Sequence, residues 1–209
     1  NQQEIDSYTY VDSNGKTQLI QPNAKPGDIR FKDLDGENGL NGDDRTMIGK
    51  PNPDWTYGFT LSADWKGFDV RAFFQGVMKR DYWPTTRNSY FWGATCENVW
   101  YAVGFKQHLD YYRAEPYYGL DTNIDSYYPR PLQGNSKNVQ KQTRYLQDAS
   151  YIRLKNLQIG YTLPSNLTSR FGIAKLRVFF SGENLWTGTK LPDMLDPETI
   201  FGGVSTGAG

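Results

Sequence analysis

Apolar and polar residues alternate without a break from Tyr57 to Lys66. Tyr57, Phe59, Leu61, Ala63 and Trp65 share one phase; Gly58, Thr60, Ser62, Asp64 and Lys66 share the other. A period of two held this long predicts a β-strand with one apolar face. Phe68, Val70, Ala72 and Phe74 then alternate with Asp69, Arg71, Phe73 and Gln75. Only Lys66 and Gly67 separate the two apolar faces, so a tight hairpin is predicted over 55–76, with Gly67 supplying the positive φ of the turn. A second hairpin is predicted over 150–184. Ile152 and Leu154 keep one phase, whereas Leu157, Ile159, Tyr161 and Leu163 keep the other. The slip near Lys155–Asn156 predicts a β-bulge. The stretch PSNLTSRFGIA makes the turn through one helical turn capped at Ser165, and KLRVFFSGENL returns with Leu176, Val178 and Phe180 opposite Arg177, Phe179 and Ser181.

The remaining segments, 1–54, 77–149 and 185–209, are expected to be loops. The predicted class is therefore all-β and antiparallel. Two architectures accommodate such strands. In a soluble sandwich, Tyr57, Phe59, Leu61, Phe68, Val70 and Phe74 pack on a second sheet of the same chain. In a transmembrane barrel they face lipid. Three features favour the barrel. The strands have about the nine to eleven residues that a tilted strand needs to cross a bilayer. Aromatics recur near strand ends: Trp55, Tyr57 and Trp65 on one strand, Tyr151 and Tyr161 on another. Short connections at 66–67 and 164–174 alternate with long ones, as short periplasmic turns alternate with long extracellular loops. On this reading Asp64, Arg71, Gln75, Arg153, Arg177 and Glu183 line the inside wall.

Composition sharpens the picture. The chain has 15 Tyr, 11 Phe and 6 Trp, yet its mean hydropathy is −0.71. Many aromatics in a hydrophilic chain suit one-sided β-structure with Tyr and Trp at wet boundaries. Lys plus Arg equals Asp plus Glu at 23 each, which gives no basic footprint for nucleic acid. The single Cys96 excludes an intrachain disulfide, and the single His108 argues against a His-based metal or catalytic site. No apolar run approaches the ~18 residues of a membrane-spanning helix, and no signal peptide is present. The chain opens NQQEIDSY without Met and is expected to be an internal piece of a longer protein. No nucleophile elbow, phosphate-binding loop or metal-spaced Cys/His set occurs, so an enzyme is not expected. Asp193, Asp196 and Glu198 could be imagined as the carboxylates of a glycosidase, but in LPDMLDPET they are expected to cap turns.

The acidic stretch DLDGENGLNGDD at 33–44 offers oxygens at the spacing of an EF-hand-type calcium loop. With Asp33 at position 1, Asp35 is 3, Glu37 is 5, Gly39 gives its carbonyl at 7, Asn41 is 9 and Asp44 is 12. Asn38 replaces the usual Gly at 6, Asp44 is shorter than the usual Glu, and PNPDW cannot continue a helix. A structural Ca²⁺ is one reading. The other is a solvated loop in which Asp and Asn bond their own backbone.

The insert at 77–149 interleaves Tyr82, Trp83, Tyr90, Phe91, Trp92, Trp100 and further Tyr with Arg, Asp and Asn. Such a loop packs its own aromatics around a short helix at 96–113, or meets a partner protein, or touches substrate. Tyr82, Trp83, Trp92 and Trp100 are the candidates for substrate or partner contact.

The strings KPGDIRFKDLDGENGLNGDDRTMIGKPNPDWTYGFTLSADWKGFDVRAFFQG, YLQDASYIRLKNLQIGYTLPSNLTSRFGIAKLRVFFSGENL and DPE closely resemble the C-terminal part of SusC/RagA-type TonB-dependent outer-membrane transporters. The likeness runs in order from residue 25 to 200, with a variable insert at 77–144. It implies a barrel of about 22 strands around an internal plug, of which this chain holds a late segment. It also implies a Gram-negative outer membrane, a SusD-like lipoprotein as lid, TonB as energy source and an oligosaccharide or peptide substrate. The plug, the TonB-box segment and a final strand after GGVSTGAG are expected outside this chain. The alternative from a different class is a soluble β-sandwich carbohydrate-binding module with a structural calcium site.

Overall fold

The computed structural model describes residues 1–37, 39–97 and 103–200. Asn38, Trp100 and the end of the expected loop 185–209 lie outside the described residues. The chain divides into two compact units, Asn1–Ile48 with Trp83–Leu146, and Gly49–Tyr82 with Gln147–Gly209.

In the first unit, helix α1 (Gln2–Ser7) is capped by Asn1 and Glu4 in a reciprocal box. It leads into a small hairpin of β1 (Thr9–Val11) and β2 (Thr17–Leu19). The insert supplies the core, which is aromatic. Phe91, Trp92, Cys96, Val139 and Tyr145 are buried. The Trp92 and Tyr145 rings meet edge-on with centroids 5.0 Å apart, and Phe91 and Trp92 meet likewise at 4.8 Å. Edge-to-face contacts of this kind add to the burial of the rings themselves. The expected helix at 96–113 does not form among the described residues. The described helical structure of the insert is α2 (Ser89–Trp92) and 3₁₀ turns at Gly93–Thr95, Lys106–Leu109 and Lys137–Val139. Asn88 caps α2, and Gly93, at φ 52°, ends it. His108 secures the second turn: its Nδ1 accepts from the Phe105 amide at 3.1 Å, which leaves Nε2 to donate to the Tyr90 and Phe91 carbonyls at 3.0 and 3.2 Å.

The second unit is built on four antiparallel strands. They are β3 (Trp55–Trp65), β4 (Phe68–Met78), β7 (Tyr151–Thr162) and β8 (Arg177–Thr189), paired in that order. Between β4 and β7 the chain makes a two-residue ladder of β5 (Asp81–Tyr82) with β6 (Gln147–Asp148). Trp65 pairs with Phe68 across the predicted two-residue turn. Both turn residues are left-handed, Lys66 at φ 47° and Gly67 at φ 89°. This is the geometry whose twist matches flanking strands.

The predicted bulge is present. Phe73 pairs with Asn156 and Phe74 with Leu154, so Lys155 is the inserted residue. On the far side, Asn184 and Leu185 stand opposite the same Lys155, with Asn184 at φ 53°. That second irregularity breaks the alternation after Gly182. It explains why the sequence reading ended the hairpin at 184, whereas β8 runs on to Thr189. The helical turn is α3 (Ser165–Thr168), but Pro164 holds the cap position and no side chain caps it. Ser165 is inside the turn, so the expected Ser cap is corrected.

Inserting Lys155 keeps one face apolar across all strands. Phe68, Val70, Ala72 and Phe74 align with Tyr161, Ile159, Leu157 and Leu154. These align in turn with Val178, Phe180, Gly182 and Trp186. The face is bare: Leu61 is 58%, Phe180 64% and Trp65 67% exposed. Phe59, Phe68 and Val70 are exposed too. The sandwich reading required these residues to pack on a second sheet, and they do not. The sheet is open at β3 and β8 and does not close into a barrel among the described residues.

Candidate functional site

The acidic loop is organised by its own backbone. Asp44 gathers two amides, Oδ1 accepting from Leu34 at 2.6 Å and Oδ2 from Asn41 at 2.7 Å. These amide hydrogen bonds hold the Asp44 carboxyl below the usual carboxylate range. Asp33 accepts from the Gly36 amide at 2.6 Å and Asp35 from the Glu37 amide at 2.9 Å. The Tyr8 hydroxyl braces the entry, accepting from the Asp33 amide and donating to the Phe31 carbonyl. The Arg30 guanidinium lies 4.1 Å over the Tyr8 ring.

This folding brings three of the four predicted carboxylate ligands together. Asp33, Asp35 and Asp44 each offer a carboxylate oxygen, all within 4.8 Å of one another. Glu37, the fourth carboxylate of the predicted set, lies outside this group. The Asn41 amide oxygen accepts from Asp43 at 2.6 Å, and its nitrogen donates to the Gly39 carbonyl at 3.3 Å. A hard cation held here would draw on three side-chain carboxylates and complete its shell with water.

The aromatic candidates are placed differently from one another. Trp92 is 1% exposed and its indole nitrogen donates to the Thr85 carbonyl at 2.8 Å. Trp83 is 8% exposed. Both rings are core of the first unit, as in the reading where the insert packs its own aromatics. Tyr82 lies in β5, paired with Gln147. Among the described residues of the insert, the exposed aromatics are instead Tyr90, Tyr117, Tyr118 and Tyr127, which sequence reasoning did not separate from their neighbours because burial depends on tertiary contacts.

The polar face of the four-stranded sheet carries the charged groups. Arg177 reaches across β7 to Asp69, with its Nε 2.9 Å from Oδ2, and also donates to Gln158 at 3.2 Å. It passes over Gly160, where any Cβ would lie 2.4 Å from the guanidinium and 2.5 Å from the Asp69 carboxylate. Nearer the other end of β7, Arg153 donates to Thr187 at 2.7 Å, to Glu198 at 2.7 Å and to Asp196 at 3.0 Å. Asp196 accepts from the Glu198 amide at 2.8 Å, capping a turn as expected for this segment. Asp196 and Glu198 are thus both engaged with Arg153.

No family model matches the chain. TonB-dependent receptor P3 of Formosa agariphila is 32% identical over 190 residues, which are 88% of this chain and 17% of that protein. TonB-dependent receptor P26 of the same organism is 27% identical over 175 residues, 82% of this chain and 16% of that protein. A solved structure of the RagAB peptide transporter is similar at a TM-score of 0.55 and 28% identity, covering 75% of this chain and 16% of the other. The RagAB peptide importer in its open-open state gives a TM-score of 0.52 at the same identity, over 76% of this chain. The chain thus spans only 16–17% of the relatives it matches. All of them are named as receptors or transporters, in keeping with a non-enzymatic chain. With the open antiparallel sheet of one bare apolar face, these likenesses identify the chain as a segment of a TonB-dependent receptor of the SusC/RagA type.

Proposed function

We propose that this chain forms part of the wall and surface loops of a Gram-negative outer-membrane transporter that imports oligosaccharides or peptides. The carrying observation is the continuous apolar face shared by β3, β4, β7 and β8, bare of protein and opposite a charged face. An open sheet leaves unpaired N–H and C=O groups at its edges, which lipid does not tolerate. Further strands of the same protein therefore pair with β3 and β8. A SusD-like lipoprotein lids the assembly, and TonB engages a part of the protein outside this chain. A peptide substrate gains weight from the similar RagAB structures, described as a peptide transporter.

The whole protein, extracted from outer membranes in detergent, is expected to co-purify with a surface lipoprotein. It is expected to bind a peptide pool from digested casein in preference to an oligosaccharide pool. A protein recovered from the aqueous fraction without detergent contradicts the transporter reading. Preference for the oligosaccharide pool contradicts only the peptide assignment.

The acidic loop is proposed as a structural cation site of Asp33, Asp35 and Asp44 that stiffens the loop beside the lipoprotein. Replacing Asp33 and Asp35 by Ala is expected to raise hydrogen exchange at 33–44 and to weaken lipoprotein retention. Chelation is expected to do the same to the native protein. Identical complex stability with and without chelator contradicts it.

A further inference from the structure

Residues 190–200 fold back over one end of the polar face of the sheet and leave the apolar face bare. Leu191, Leu195 and Ile200 of this segment are buried, as are Tyr151 and Arg153, which it contacts. Further along the same face, Ser62, Asp64 and Ser181 are exposed. Beside this apolar burial, the segment is pinned by a cluster of charges. Glu198 is the hub: it meets Arg153 at 2.7 Å and Lys155 at 3.0 Å, and accepts from the Tyr151 hydroxyl at 3.4 Å. Asp196 takes the second arm of Arg153 at 3.0 Å. Arg80 donates to the Pro197 and Ile200 carbonyls, both at 3.3 Å. Lys155, one of these cations, is the bulge residue itself. The irregularity thus delivers a cation to the segment while preserving both faces of the strand.

A segment held by apolar burial alone gains from staying closed in any surroundings. A segment held by a partly exposed charge cluster depends on each partner, because losing one leaves the other charges uncompensated. Here Arg153 is 9% exposed but Glu198 is 24% and Asp196 46% exposed, so water reaches the carboxylate side.

We propose that residues 190–200 form a releasable strap over the inner wall of the transport passage, locked by Glu198 against Arg153 and Lys155. The proposal rests on the transporter reading, which makes the polar face the inner wall. Closed, the strap narrows the passage; open, it uncovers Gln75, Arg153 and Thr187, neighbours across β4, β7 and β8. The strap is then an element that sets how large a solute passes.

The test uses the whole protein in intact cells, with a cysteine at one position and the parent protein as background. With Gln75→Cys, a small water-soluble maleimide is expected to label, whereas a polyethylene-glycol maleimide labels poorly. Adding Glu198→Gln is expected to raise labelling by the large reagent severalfold, and Asp196→Asn to raise it less. Joining Lys155→Cys to Glu198→Cys with a bis-maleimide is expected to slow entry of large solutes, which a thiol-capping reagent at either cysteine alone does not do. Labelling at Gln75→Cys that is the same with and without Glu198→Gln, whether high or low, overturns the strap. Phe59→Cys on the apolar face is the separate control. If it reacts freely with the water-soluble maleimide, the transporter reading fails; if it is protected, only the strap is in question.

Discussion

Asp28 joins two stretches of the first unit that lie far apart in sequence. Its buried carboxylate takes hydrogen bonds from Arg130 at 2.9 Å, Lys137 at 2.6 Å and Asn138 at 3.0 Å. Burial works against its charge, but the bonds from Lys137, Asn138 and the Lys25 amide, with the Arg130 charge, outweigh that and hold the carboxyl below its usual range. A lowered native value means that this stabilisation is complete above the ordinary Asp range near about 3.9 and is lost as pH falls through the native value. Asp28→Asn is expected to cost the unit about 2–4 kcal/mol, since it leaves partly buried cations without their charge partner. Hydrogen exchange at the Ile29 and Arg130 amides, which bond Asn138 and Gly27 beside it, reads the loss. The substitution should also remove the acid sensitivity of those amides. No local pattern announced this node, because its side-chain partners lie more than a hundred residues away. The acidic loop shows the reverse: its Asp and Asn spacing was visible, and Asp33, Asp35 and Asp44 gather while Glu37 does not.

At the scale of elements, the hairpins and the bulge were legible because each is a local contest between a period of two and its interruption. The turn at Lys66–Gly67 follows from that spacing. Gly67→Ala places a Cβ at φ 89° and 2.8 Å from the Thr162 carbonyl. It is expected to cost about 1–3 kcal/mol, read as a lower urea midpoint of the refolded protein with unchanged slope. Gly160→Val should break the Asp69–Arg177 bridge that passes over it, at a cost of about 1–3 kcal/mol for forced overpacking. If Gly160→Val unfolds at the native midpoint, the bridge carries no stability. Two things could not be read locally. The continuation of β8 past 184 was hidden by Asn184 and Leu185, whose bulge interrupts the alternation that a strand normally displays. The pairing of β4 with β7 spans the whole insert, a separation that no local pattern reports.

At the scale of the molecule, the two units divide the labour that the composition forecast. One spends its aromatics on a self-contained core around Trp92 and Tyr145, where burial pushes the Tyr145 phenol up to about 12. The other leaves an apolar face uncovered, which aqueous solvent penalises at roughly 25 cal/mol for each Å² and lipid does not. The family likeness named the surroundings that make such a face stable; alternation alone was shared with a sandwich. The lipid-facing orientation is the central claim, and a spin-label scan of residues 57–64 in the whole protein, reconstituted in liposomes, tests it most directly. The account predicts a period of two: labels at 57, 59, 61 and 63 relaxed by lipid-soluble oxygen, and labels at 58, 60, 62 and 64 shielded from it. Odd positions shielded from both oxygen and a water-soluble relaxant would place them against protein and contradict the account.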